Sequence, residues 1–247
     1  MAQTDFSLTG YGALLDELAS RSYAVVGFEE ADPAERHLVL RHDLDLSVEA
    51  ALPMAEIEAH RNLNASYFVL LRSPLYNPFT ASALTALRRL GTLGHDIGLH
   101  LDATLYGDEP NVLDRAAERE CAALEALLGR RVGMISFHRP APALQGREGT
   151  VGGRRHAYEP RFFRDMGYCS DSRGAWHHGH PLDHPAVSAG RALQLLTHPI
   201  WWVSEEATPD GCLDRWLEAR AEVLDGALAE NIALHRPGRC RLTWNRS

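Results

Sequence analysis

The stretch LVLRHDLDLS, residues 38–47, sets two aspartates, Asp43 and Asp45, just past an aliphatic run. In an extended chain residues two apart share a face, so both carboxylates are expected to point into one site. Two acids converging at the end of a strand need a cation, a proton or both, because adjacent like charges raise a pKa. The plainer reading is a turn-forming aspartate with a helix cap near Ser47.

Outward from this stretch the chain alternates helix and strand. On the N-terminal side lie a helix over 10–20, a short apolar run over 23–28 and the strand over 37–41. Beyond it come a helix over 47–61, opened by Ser47 with Glu49 and Glu56 following, and a strand over 65–71. A helix over 80–90 ends at Gly91, a strand covers 95–101, and a long amphipathic helix over 112–128 stops at Gly129. A strand over 132–137 leads into 140–157, whose Pro and Gly mark a mobile loop. A short helix over 160–166, strands at 168–170 and 192–196, and a helix over 214–228 complete the series. Strands alternating with helices predict an α/β fold with a parallel sheet, open or closed. One catalytic domain over 1–247 is expected, with 1–30 as a helix and strand packed on it.

At 45% hydrophobic and 23% charged residues, the 247-residue chain has the composition of a globule with a sizeable core. A formal charge of -8 argues against nucleic acid or an anionic membrane as the main partner. All 25 basic residues are arginine, which excludes a Schiff-base lysine and the phosphate-gripping lysine of a P-loop. Cys121, Cys169, Cys212 and Cys240 lie far apart with no CxxC pair, so neither a zinc knuckle nor a dithiol redox motif is expected. The N-terminal MAQTDFSLTGYGALLDELAS lacks the basic start and apolar run of a secretory signal, and no later segment is apolar enough to span a bilayer. A reducing cytoplasm is the expected location.

Three more strand ends carry ionisable side chains. In GHDIGLHLD, residues 94–102, His100 and Asp102 share a face with Asp96, while His95 points the other way and reads as a hydrogen-bonded structural histidine. MISFHRP, residues 134–140, ends in His138 and Arg139, and LQLLTHP, residues 193–199, carries His198 in the same relative place. In parallel barrels that rim is where active sites are built, and histidine supplies both metal ligands and acid–base groups. The loop SDSRGAWHHGHPLDH, residues 170–184, holds His177, His178, His180 and His184 without regular ligand spacing, and an exposed loop is favoured over a metal site. Asp171, directly after a strand, is placed to orient Arg139 or another active-site group. Trp201 and Trp202 read equally as walls of the site or as core.

Read in order, RHDLD, GHDIGLH, HRP, SDSRGAW and LTH resemble the motif series of the polysaccharide deacetylases, the NodB-homology group or carbohydrate esterase family four, over residues 41–202. The resemblance implies a distorted (β/α) barrel of about seven strands and a divalent metal ion, with zinc the first choice. By it Asp43 is the general base, Asp45 and His100 are metal ligands, His198 is the general acid, and Arg139 with Asp171 tunes Asp43. The family's second metal histidine falls four residues after the first, where this chain has Thr104. His138 or Asp102 is left to replace it. His138 is favoured, since imidazole commonly joins a carboxylate and a histidine at zinc. The departure points to a divergent branch, of the kind associated with bacterial surface-polysaccharide loci.

The implied activity is metal-assisted removal of an N-acetyl group from a sugar or glycan. A relative that binds sugar without hydrolysing it is the first alternative, motivated by the missing histidine. A haloacid-dehalogenase-like phosphatase is the second, from the Asp-x-Asp of DLDLS. It lacks the basic motif and the later acidic pair that such chemistry needs.

Overall fold

The computed structural model describes residues 6–106, 111–177 and 179–238. His178 and Cys240 lie outside them. The chain divides into two compact units, Met1–Val203 and Ser204–Ser247.

In the first unit the elements run α1 (Leu8–Ser20), β1 (Ala24–Val25), β2 (His37–Leu44), α2 (Leu52–His60), β3 (Ser66–Val69), α3 (Ala81–Thr92) and β4 (Asp96–Asp102). They continue with α4 (Val112–Leu128), β5 (Met134–His138), β6 (Arg155–His156), β7 (Gly167–Ser170), α5 (Pro185–Ser188) and β8 (Leu193–Thr197). Local chemistry accounts for the boundaries. Ser7 and Thr80 accept hydrogen bonds from the backbone N–H groups of Gly10 and Ala83, capping α1 and α3. Gly129 ends α4 at a φ of 67°, a conformation suited to glycine. The expected helix over 47–61 opens as a 3-10 turn, Glu49–Ala51, capped by Ser47, before Pro53 in the first turn starts α2. The stretch 140–157 contains a 3-10 turn, Pro142–Leu144, and the short strand β6.

All strand pairs are parallel, in the order β6-β5-β4-β3-β2-β8-β7, with β1 added alongside β2. This is the α/β sheet of about seven strands that was expected. Among the described residues no bridge joins β6 to β7, so the barrel is open there. The rings of Tyr158, Phe163 and Tyr168, with centroids 5.0 to 6.4 Å apart, form a cluster at that side. The sheet is strongly curled. On a flat sheet β2 and β5, three strand spacings apart, would stand roughly 14 Å from each other. Instead Ser136 of β5 donates to Asp43 of β2 at 3.2 Å.

The curl gives β2 two buried faces. Toward the helices, His42 binds Glu58 at 2.7 Å and Thr197 at 2.6 Å, and Glu58 also accepts from Tyr11 and Tyr67. Toward the barrel interior project Arg41 and Asp43. Arg41 is fully buried, with its guanidinium 4.7 Å from the Tyr158 ring centroid. Gln194 of β8 bonds Arg41 and donates to the carbonyls of Ala157 and Phe162. The latter lies in the π-helical turn Arg161–Asp165, where a helix was expected.

The second unit contains α6 (Pro209–Asn231), capped by Thr208, in place of the shorter helix expected over 214–228. Leu217, Val223, Leu224 and Leu228 are exposed on it. Among the described residues no helix is long and apolar enough to cross a membrane.

One buried group makes the fold sensitive to acid. His156 is fully buried beside Phe137, and burial lowers its pKa to about 4 from 6.5. Between those values the unfolded chain binds a proton that the folded chain refuses, so stability falls as pH drops through this window. The loss amounts to roughly 3 kcal/mol at most. His156→Phe is expected to flatten the dependence of the urea midpoint on pH over that range. Equal slopes for parent and variant would contradict the assignment.

Candidate active site

Register brings the ionisable strand ends together. Leu44 stands beside Val69, and Val69 beside Leu99, so Asp45 lies at the level of His100 and its neighbour Ser136. Asp43 receives a two-pronged hydrogen bond from Arg41, Nε to Oδ1 at 3.0 Å and Nη2 to Oδ2 at 2.7 Å, and further bonds from Ser136. Burial pushes its pKa up, but Arg41 and His100 outweigh burial and hold the carboxyl below its usual 3.8.

Asp45 is held well below that value, His100 and His138 outweighing its burial. His100 Nε2 is 3.1 Å and His138 Nδ1 3.4 Å from Asp45 Oδ1. That oxygen is buried and has no partner in hydrogen-bond geometry. Ser136 Oγ lies 2.9 Å from His100 Nδ1, leaving Nε2 to face the aspartates. One ligand atom from each of Asp45, His100 and His138 lies within 4.8 Å of the others. A carboxylate with an orphaned oxygen facing two imidazole nitrogens is a donor set suited to zinc or another first-row divalent ion.

Across the cavity, His198 follows β8. Its Nδ1 is 2.6 Å from Asp171, whose carboxylate also accepts from the His198 backbone N–H and, at 2.7 Å, from Trp202 Nε1. Burial lowers the imidazole pKa, but Asp171, then Asp45 and Asp43, prevail and raise it to about 9. Its Nε2 lies 3.7 Å from Asp45 Oδ2. These groups border a cavity of about 300 Å³ whose wall includes Trp201 and Tyr168.

Asp43, Asp45, His100, His138 and His198 thus line one cavity. Arg139 lines the same cavity but does not reach Asp43. It lies one residue past the interior-facing His138, has a φ of 49°, and bonds Asp102 and Thr104. Asp102, also bound by Thr104, is engaged there and falls outside the Asp45 cluster. Asp171 orients His198, not Arg139. His95 is buried between the Ala65 amide and the Ala55 carbonyl, as a structural histidine. His180 and His184 accept turn-capping bonds from Leu182 and Ala186. Trp201 walls the site, whereas Trp202 packs in the core against Phe6 and Tyr11.

Two residues at the site were not anticipated, Arg41 and Ser136. Each lies two residues before a named site residue, so strand parity alone marked them.

No family model and no curated protein matches the chain. Among solved structures it is similar to the Streptococcus pyogenes deacetylase PplD in complex with acetate, at 14% identity over 83% of this chain and 84% of that one, TM-score 0.43. It is also similar to a family 4 carbohydrate esterase from Bacillus anthracis, at 15% identity over 89% and 86%, TM-score 0.43. A third is the chitin deacetylase from the fungal pathogen Colletotrichum lindemuthianum, at 16% identity over 74% and 81%, TM-score 0.44. Likeness this distant carries no chemistry to the present chain.

The geometry makes a prediction about ligation. Asp45→Asn and His138→Ala are each expected to lose stoichiometric zinc on dialysis, measured by elemental analysis, whereas Asp102→Asn keeps it. Retention by His138→Ala with loss by Asp102→Asn would reverse the choice of third ligand.

Proposed function

We propose that this chain is a divergent polysaccharide deacetylase, a metal-dependent hydrolase that removes an N-acetyl group from a sugar or glycan. The observation that carries the reading is the buried, unpartnered Asp45 Oδ1 facing His100 and His138, flanked by an arginine-clamped aspartate and a histidine–aspartate pair. The five sequence words in order support the same reading.

A divalent ion held by Asp45, His100 and His138 supplies Lewis acidity toward the amide carbonyl and its developing negative charge. Asp43, kept ionised by Arg41, takes the proton of the attacking water. His198, kept protonated by Asp171, delivers its Nε2 proton to the leaving amine. Two titratable groups in one cavity are thus pushed in opposite directions, the arrangement a base and an acid need at the same pH. Trp201 and Tyr168 provide apolar walls that limit water around the acyl group.

A sugar-binding relative without activity is the second reading. It is favoured by the clamp itself, since Arg41 and Ser136 donate to both oxygens of Asp43 and compete with a water for its lone pairs.

Acetate release from N-acetylglucosamine oligomers by the zinc-loaded chain decides between them. Asp43→Asn is expected to lower kcat by roughly 10²- to 10⁴-fold with zinc still bound. Zinc binding with no acetate release from any N-acetylated sugar favours the binding-only relative. For the active enzyme the pH profile is a bell. On the acid side, protonation of Asp43 removes the base, a step that Arg41 shifts below the ordinary carboxylate range. Rate is lost on the basic side as His198 gives its proton up. Because a cation at Asp45 opposes the carboxylates around His198, that limb falls between ~6.5 and about 9.

A further inference from the structure

The wall of the cavity carries a positive charge that hydrolysis of a neutral acetamide does not use. Arg173, in the turn after β7, lines it together with Arg139 from the end of β5. Both are held in the left-handed region, at φ 60° and 49°, and Gly174 continues the same conformation at 69°. Side chains other than glycine adopt this region reluctantly, and such backbone gathers at ligand sites where the surroundings impose it. The two arginines differ in one respect. The Arg139 guanidinium is paired with Asp102, whereas Arg173 has neither hydrogen bond nor ion pair with any described residue.

The other charged groups of the lining face an opposite charge or an imidazole. Asp43 faces Arg41, His198 faces Asp171, and Asp45 belongs with the imidazoles of His100 and His138. Arg173, exposed at the rim of the site, is left as a cation without a partner among the described residues, in a chain with a formal charge of -8 and no lysine. A planar guanidinium recognises oxyanions through two parallel N–H donors, and a phosphate or a carboxylate presents the matching pair of oxygens. A cavity of about 300 Å³ is at the small end for a ligand pocket, the size for a single sugar with its charged substituent near the opening.

We propose that the sugar deacetylated here is anionic, carrying a phosphate or carboxylate group that Arg173 binds at the cavity mouth, with Arg139, itself paired to Asp102, on the neighbouring wall. This rests on the deacetylase reading and narrows its substrate class. A glycosyl phosphate and a uronic acid both have the required chemistry.

The experiment compares three probes on the zinc-loaded full chain: N-acetylglucosamine, its 1-phosphate and N-acetylglucosaminuronic acid. The kcat/KM for one of the anionic sugars is expected to exceed that of the neutral sugar by roughly tenfold or more, the effect of one charge-assisted contact. Which of the two leads identifies the oxyanion. Arg173→Gly, which also suits the left-handed backbone, is expected to bring the anionic-to-neutral ratio close to one, and added salt to compress it in the parent. Equal rates for all three sugars, or a ratio unchanged in Arg173→Gly, overturns the proposal while leaving the deacetylase reading intact. If no sugar is hydrolysed, that reading fails separately. Calorimetric binding of the same three sugars to the parent and to Arg173→Gly then reads the anion preference directly, and its absence overturns the proposal.

Discussion

Arg41 occupies the interior of the curled sheet, where an unpaired guanidinium is not tolerated. Taking a charge out of water costs several kcal/mol, and the cost is offset only by an opposite charge and satisfied hydrogen bonds. Arg41 finds both. Asp43 neutralises it, Gln194, Ser136 and Tyr158 accept further N–H bonds from it, and the Tyr158 ring covers its face. Those partners lie on β2, β8, β5 and just beyond β6. One side chain therefore ties together strands that a flat sheet would keep apart, and the same contact that stabilises the curl fixes the proposed catalytic carboxylate.

A second polar network lies on the other face of β2. His42 links Glu58 of α2 to Thr197, the residue before His198, while Tyr11 and Tyr67 complete the shell of Glu58. Successive residues of one strand, Arg41, His42 and Asp43, thus serve the interior, the helix layer and the interior again. Breaking such a network would leave a carboxylate buried without partners. Its physical role follows from placement: it holds β2 against β8, and with them the strand ends that carry Asp45 and His198.

The site built on these strands separates charge with fixed protein groups. Arg41 and Asp171 each stand behind one working group, the first favouring the ionised form of Asp43 and the second the protonated form of His198. Between them the Asp45 cluster holds a carboxylate oxygen that no described side chain satisfies in hydrogen-bond geometry. Rigid strands and fixed dipoles keep all three arrangements in register without reorganisation, the condition under which electrostatic stabilisation acts strongly.

Much of this was legible in the chain order of residues. Alternating helix and strand patterns set the parallel α/β sheet, and the limits of α4 followed from amphipathic spacing closed by Gly129. The shared face of Asp43 and Asp45, and the structural role of His95, followed from strand parity, which is a local property. What parity could not supply was the pairing of groups between strands. That Arg41 and not Arg139 clamps Asp43, that Asp171 serves His198, and that His138 and not Asp102 joins Asp45 were decided by the curl of the sheet. A sequence determines which side of its own strand each residue faces. Which distant strand it meets depends on the curvature that buried partners such as Arg41 and Ser136 impose through space.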